Sequence, residues 1–154
     1  MRAARADLDI AICGVGLVES AVSMAKIIES MRPEAVVLCG IAGAYSDTLK
    51  VGDVVAVSEE RCSTLPAHYR KSYSATLKLS LPEVVSNSVM AVGAAADGAQ
   101  IENMEGAAVF ALCAAHGVPC AEIRAISNYT TDSREDWNIP AALEALVKTV
   151  NRLF

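Results

Sequence analysis

The chain has 154 residues, which fits one domain with a real hydrophobic core. It is 53% hydrophobic, 20% charged and only 5% aromatic, an alanine- and valine-rich composition that excludes a disordered chain and suits an α/β fold. The net charge of -5 argues against nucleic acid and anionic membrane as partners, since both need a basic patch, and the pair Arg2 and Arg5 is too small to supply one.

No apolar run reaches the roughly 18 residues of a membrane helix, and no hydrophobic core follows the N-terminal charges, so no secretory signal is expected. Cys13, Cys39, Cys113 and Cys120 sit in apolar runs and Cys62 in a polar stretch. Their odd number and the lack of a CxxC spacing read as reduced, mostly buried thiols of a cytoplasmic protein. His68 and His116 are isolated, which argues against a metal site.

In chain order, Leu8 to Cys13 reads as a strand and Gly14-Val15-Gly16 as a turn. Leu17 to Met31 shows helical spacing, with Val18, Ala21, Val22, Ala25 and Ile28 on one side and Pro33 after the end. Ala35 to Cys39 is a short continuous apolar run, as expected of a strand buried on both faces. Gly40-Ile41-Ala42-Gly43 reads as a loop that lets backbone approach a ligand. Asp53 to Ser58 is a strand, Glu59 to Pro82 is irregular, and Val84 to Val92 reads as a strand interrupted by Ser86, Asn87 and Ser88. Met104 to His116 is a helix stopped by Gly117-Val118-Pro119. Cys120 to Ile126 is a strand, neighbour to Ala35–Cys39 in the sheet centre, and Ser127 to Asp136 a polar loop. Asn138 caps a last helix with Pro140 in its first turn. The alternation predicts a single domain over 1–154, an α/β three-layer sandwich around a mixed, largely parallel central sheet.

Gly14-Val15-Gly16 between strand and helix is half of a dinucleotide fingerprint, but Glu19 and Ser20 stand near the place of the third glycine, so a tight turn is the better reading. Gly40-Ile41-Ala42-Gly43 exposes backbone groups that suit a purine edge or a ribose oxygen, or is an ordinary connecting loop. Glu105, at the start of an apolar helix, gains from the helix dipole. Its two oxygens also match a ribose 2′- and 3′-hydroxyl pair. Met104 beside it either packs on a sugar or belongs to the core. Asn128 ends a buried strand. Its amide donates and accepts, which matches the N7–H and O6 of a 6-oxopurine, while a turn-capping Asn is the plainer alternative. Strand and helix ends of this kind are where open α/β sheets hold small ligands.

The segments Gly40-Ile-Ala-Gly43, Gly52-Asp-Val-Val55, Ser58-Glu59, Asn103-Met-Glu-Gly-Ala-Ala108 and Arg124-Ala-Ile-Ser-Asn128 resemble the nucleoside phosphorylase/nucleosidase superfamily. Within it, Ile126-Ser-Asn-Tyr129 followed by Arg134-Glu-Asp-Trp-Asn-Ile-Pro140 resembles the futalosine hydrolase subgroup, and Asn128 stands where methylthioadenosine/S-adenosylhomocysteine nucleosidases usually carry Asp. The resemblance implies cofactor-free hydrolysis of the N-glycosidic bond of a hypoxanthine nucleoside in menaquinone biosynthesis, through an oxocarbenium-like sugar. It implies that Glu105 binds the ribose hydroxyls and aligns the water, and that Asn128 stabilises the leaving base. Ala42 and Gly43 give backbone contacts, Met104 packs on the sugar, and Asn103 and Ser127 join the substrate-binding set. It also implies a homodimer or larger homo-oligomer, with a small-molecule nucleoside as partner.

Two departures from the family pattern accompany the resemblance. The family begins with a further strand carrying an acidic residue that positions the water, whereas this chain starts, after Met1 to Asp7, at what resembles a later strand. The section Glu59 to Asn103 is shorter than the family's and shows no clear replacement for its aromatic contacts, with Tyr69 and Tyr73 as the candidates. A non-catalytic nucleoside-binding protein is therefore a second reading. A phosphorylase is the third, disfavoured because Gly14-Val15-Gly16 has no basic neighbour and Lys26 lies two turns away.

Overall fold

The computed structural model describes residues 8–154; Arg2 and Arg5 lie outside them. Its elements are α1 (Leu17–Met31), β1 (Val36–Ala44), β2 (Val54–Cys62), a 3-10 turn (Ala67–Tyr69), β3 (Ser72–Ser74), β4 (Glu83–Ser88), β5 (Ile101–Asn103), α2 (Gly106–His116), β6 (Cys120–Tyr129), a second 3-10 turn (Arg134–Asp136) and α3 (Ile139–Leu153). No helix among the described residues is long and apolar enough to cross a membrane.

The six strands form one mixed sheet in the order β3-β2-β4-β5-β1-β6, and β2 also pairs with β6. The sheet thus does not stay an open layer between helices. It closes through β2, β4, β5, β1 and β6 into a barrel-like ring, with β3 attached at β2. The pairings β1–β6, β2–β4 and β4–β5 are parallel, while β1–β5, β2–β3 and β2–β6 are antiparallel, so the sheet is mixed, and its two longest ladders, β1–β6 and β2–β4, are parallel. Closure follows from β2, which is long enough to pair through Val54–Ala56 with β6 and through the rest of its length with β4.

Three cores result. Ala42, Ala44, Val55, Val57, Val84, Ile101 and Ile126 fill the ring. Met24, Ile28, Leu38, Val109, Phe110, Cys113 and Cys120 join α1 and α2 to the sheet. Ile123 and Ala125 meet Ala142 and Leu146 of α3. In α3 the buried positions Ala142, Leu146 and Thr149 are spaced as one helical stripe, and Asn138 Oδ1 accepts the N–H of Ala141 at 3.2 Å, the expected cap.

Helix α1 has the expected bounds but turns a different face inward. Ser20, Met24 and Ile28 are buried, whereas Val18 and Val22 are 68% and 47% exposed. Met24 and Ile28 find α2 and β1, and a partner rather than the spacing alone selects which stripe is covered. Residues 8–14 form no strand. Ile10 and Ile12 are 91% and 89% exposed; alternation gives a strand only where a ladder partner takes up its backbone groups. Gly40-Ile41-Ala42-Gly43 is not a loop but the second half of β1. Strands β1 and β6 are neighbours as expected, with Val36 opposite Cys120. Strand β6 is buried from Cys120 to Asn128, but Cys39 of β1 is exposed, so only β6 is covered on both faces. Strand β6 also continues past Ile126 to Tyr129, β3 lies within the stretch expected to be irregular, and β5 lies outside the expected strands.

Candidate functional site

The site begins at the head of α2. The first N–H groups of a helix have no partner within it. Here Asn103 Oδ1 accepts the N–H of Glu105 at 2.8 Å and of Gly106 at 2.7 Å, and Ser88 Oγ accepts that of Ala107 at 2.7 Å. The short strand β5 delivers Asn103 to this place from its pairing with β4, where Asn103 stands opposite Ser88. Asn103 therefore fixes where the helix starts and what Glu105 faces.

Glu105 is largely buried, with 13% of its side chain exposed. Its Oε1 accepts the N–H of Gly16, the residue that precedes α1, at 3.0 Å. Its Oε2 lies 3.2 Å from Nη1 of Arg124. The Arg124 guanidinium is enclosed by acceptors: Nη1 also donates to the Ile41 carbonyl at 3.0 Å, Nη2 to Asn103 Oδ1 at 2.9 Å, and Nε to Glu122 Oε1 at 2.6 Å. Burial opposes the charge of Arg124, but the charges of Glu122 and Glu105 outweigh it and keep Arg124 a cation. Gly40 faces the guanidinium so closely that any Cβ there would run into it; only glycine leaves room.

Asn103 Nδ2 donates to Ser86 Oγ at 2.8 Å and to Glu60 Oε1. With three donors on Oδ1 and both amide hydrogens engaged, this side chain has no capacity left over. Glu60 is wholly buried and accepts Ser88 Oγ–H at 2.7 Å on Oε2. Burial pushes its carboxyl well above the usual carboxylate range, and the neighbouring Glu122 adds to this. Burial pushes Glu122 up as well, against the pull of Arg124.

The remaining expected residues form a second, adjoining group. Ser127 Oγ donates to Asn128 Oδ1 at 2.8 Å and lies 3.3 Å from the Ala42 carbonyl. Asn128 Nδ2 donates to the Tyr129 carbonyl at 2.8 Å. Gly43 stands beside the Asn128 amide, with its Cβ position 3.1 Å from Nδ2. Ala42 is buried in the ring and Met104 half-buried beside Glu105. Asn103 and Glu105 are thus brought into one network, and Ala42, Gly43, Ser127 and Asn128 into another. The two lie against adjacent carbonyls of β1, those of Ile41 and Ala42. Arg124 and Asn128 pair with Gly40 and Gly43, about 10 Å apart along the strand. A cleft of about 110 Å3 lined by Ala56, Ser58, Ala75, Leu79 and Glu122 shares only Glu122 with the network and is well under the roughly 300 Å3 of small-molecule sites.

Glu60, Ser86, Ser88, Glu122 and a role for Arg124 were not read from the sequence. A signal for two of them was present: Glu122 and Arg124 stand two apart inside the apolar run Cys120–Ile126, hence on one face of a buried strand, where charges occur only as partners.

Known proteins resemble this chain in sequence and fold. The family model described as the Phosphorylase superfamily matches residues 8–84 and 80–154. A futalosine hydrolase of Thermus thermophilus is 31% identical over 175 aligned residues, covering 91% of this chain and 78% of that protein. The fold is similar to that of a 5′-methylthioadenosine/S-adenosylhomocysteine nucleosidase from Neisseria meningitidis solved with methylthio-immucillin-A, with a TM-score of 0.80, 19% identity and coverage of 92% and 78% of the two chains. It is also similar to a futalosine hydrolase mutant of Helicobacter pylori, with a TM-score of 0.72, 20% identity and coverage of 90% and 77%. With its whole described length matched by the family model and its fold shared with these enzymes, the chain belongs to the Phosphorylase superfamily.

Proposed function

We propose that this chain is an N-glycosyl hydrolase of 6-oxopurine nucleosides, acting on futalosine to give hypoxanthine and dehypoxanthine futalosine. The observation that carries the reading is the carboxylate of Glu105, held at the head of α2 by Arg124 and the Gly16 N–H, in a chain 31% identical to a futalosine hydrolase over 91% of its length. Each Glu105 oxygen keeps acceptor capacity beyond these bonds and takes a ribose hydroxyl. As the glycosidic bond lengthens, positive charge gathers on the sugar beside this carboxylate and negative charge on the departing base. Asn128 has one amide hydrogen and one Oδ1 lone pair uncommitted; the hydrogen is donated to O6 of the base and the lone pair accepts from its protonated N7. The backbone at Ala42 and Gly43 borders the base, and Met104 packs on the sugar. Ser127 orients the Asn128 amide. Asn103, with its side chain fully engaged, acts by holding Glu105 rather than by touching substrate. The exposed Ile10, Ile12 and Val15 support assembly as a homodimer or larger homo-oligomer.

The test is hypoxanthine release from futalosine with and without phosphate, alongside calorimetric titration. Phosphate-independent release supports the reading. Binding without release identifies a non-catalytic nucleoside-binding protein, and neither binding nor release overturns the assignment.

A further inference from the structure

Behind the Arg124–Glu105 pair lie two carboxyl groups that reach no surface. Glu60 comes from β2 and Glu122 from β6, and both are 0% exposed. They converge on one point: a Cβ added at Gly106 would run into the Glu60 carboxyl and stand 2.8 Å from Glu122 Oε2. Three of their four oxygens have donors, from Asn103, Ser88 and Arg124. Glu122 Oε2 has none among the described residues. Around this point, among the described residues, three carboxyl groups, those of Glu60, Glu105 and Glu122, face the guanidinium of Arg124. Two like charges so close in dry surroundings do not both persist. One proton on Glu60 removes the surplus charge and supplies the O–H that Glu122 Oε2 needs.

We propose that Glu60 and Glu122 are a positioning pair for the site, clamping Arg124 and Asn103, which in turn hold the Glu105 carboxylate at the head of α2. The contacts run without a gap. Glu122 holds Nε of Arg124, Glu60 holds the amide of Asn103, and Arg124 and Asn103 meet each other and Glu105. The pair touches no reacting atom. Its part in catalysis rests on the reading of Glu105 as the ribose-binding group, while its geometry does not.

Three readouts test it. Infrared spectra of the unaltered protein at neutral pH should contain the carbonyl band of a buried protonated acid, and Glu60→Gln should abolish that band. The Arg124 Nε–H cross-peak in nitrogen-15 spectra should persist in Glu60→Gln, whose amide N–H replaces the shared proton at the loss of one Asn103 contact, with turnover down about threefold. Glu122→Gln removes the charge that Arg124 leans on. The cross-peak should then shift or broaden, and kcat should fall about tenfold or more while KM moves less. Absence of the acid band from the unaltered protein overturns the pair even if Glu122→Gln does not fold. An unchanged cross-peak and kcat in Glu122→Gln, or equal losses in both variants, also overturn it. A protein that binds and cleaves no nucleoside refutes the proposed function instead, with the band and the cross-peak still deciding the pair.

Discussion

Arg124 and Asn128 stand four residues apart on β6 and face opposite sides of it. In a regular strand, residues four apart share a face. Between them the register with β1 shifts: Ala42 is opposite Ile126, but Gly43 is opposite Asn128. Ser127 is the extra residue of a β-bulge. Arg124 therefore lies against Gly40, on the face of Ala42 and the ring interior, while Asn128 lies against Gly43, on the face of Ile41 and α3. The carboxylate end of the site and its amide end are separately built.

The first prediction concerns Glu105. Glu105→Gln keeps an acceptor for the Gly16 N–H and removes the charge opposite Arg124. Turnover should fall at least about tenfold, the scale of one lost transition-state contact, and stability by about 1–3 kcal/mol because a buried ion-paired bond is weakened. Steady-state rates with denaturant titration measure both, and unchanged turnover removes Glu105 from the mechanism.

Gly106 carries the second. Its Cβ position is occupied by the Glu60 carboxyl and closely bordered by Glu122. Although alanine is the better helix former, Gly106→Ala should destabilise by about 1–3 kcal/mol through overpacking. A midpoint at or above that of the unaltered protein would show that the two carboxyl groups do not converge there.

A third prediction follows from Asn128. An Asn amide presents a fixed donor and acceptor, whereas Asp accepts from an adenine amine. Asn128→Asp should move the preference from hypoxanthine towards adenine nucleosides by about tenfold to a hundredfold, the cost of a mismatched buried contact of about 1–3 kcal/mol. Because the two ends of the site are separately built, its effect should add to that of Glu105→Gln. An unchanged ratio of the two nucleosides would mean that Asn128 does not read the base.

The fourth concerns pH. Glu60 faces Ser86 and Ser88 from β4, Asn103 from β5, Gly106 from α2, and Glu122 and Arg124 from β6. Its carboxyl is raised in the folded state by burial and then by Glu122. A raised carboxyl favours folding below the unfolded value of about 4.3, and that contribution is lost as pH climbs through the folded value. The Tm of Glu60→Gln relative to the unaltered protein should therefore rise from about pH 5 to pH 8. A difference flat across that window would place no proton on Glu60.

Much of this molecule is legible without coordinates. The α1 bounds Leu17–Met31, the last helix with its Asn138 cap, and the starts of β1 and β6 follow from residue spacing and end signals, because helix ladders and caps are satisfied within a few residues. The family, too, is written in the order of its short motifs. Closure of the sheet, the inward stripe of α1, the strand character of Gly40–Gly43 and the bulge at Ser127 are not, because each depends on partners far away in the chain. The carboxyl groups of Glu60 and Glu122 meet across 62 residues of sequence. What makes them neighbours is the pairing of β2 with β6, and the hydrophobic pattern of a strand does not specify which distant strand it pairs with.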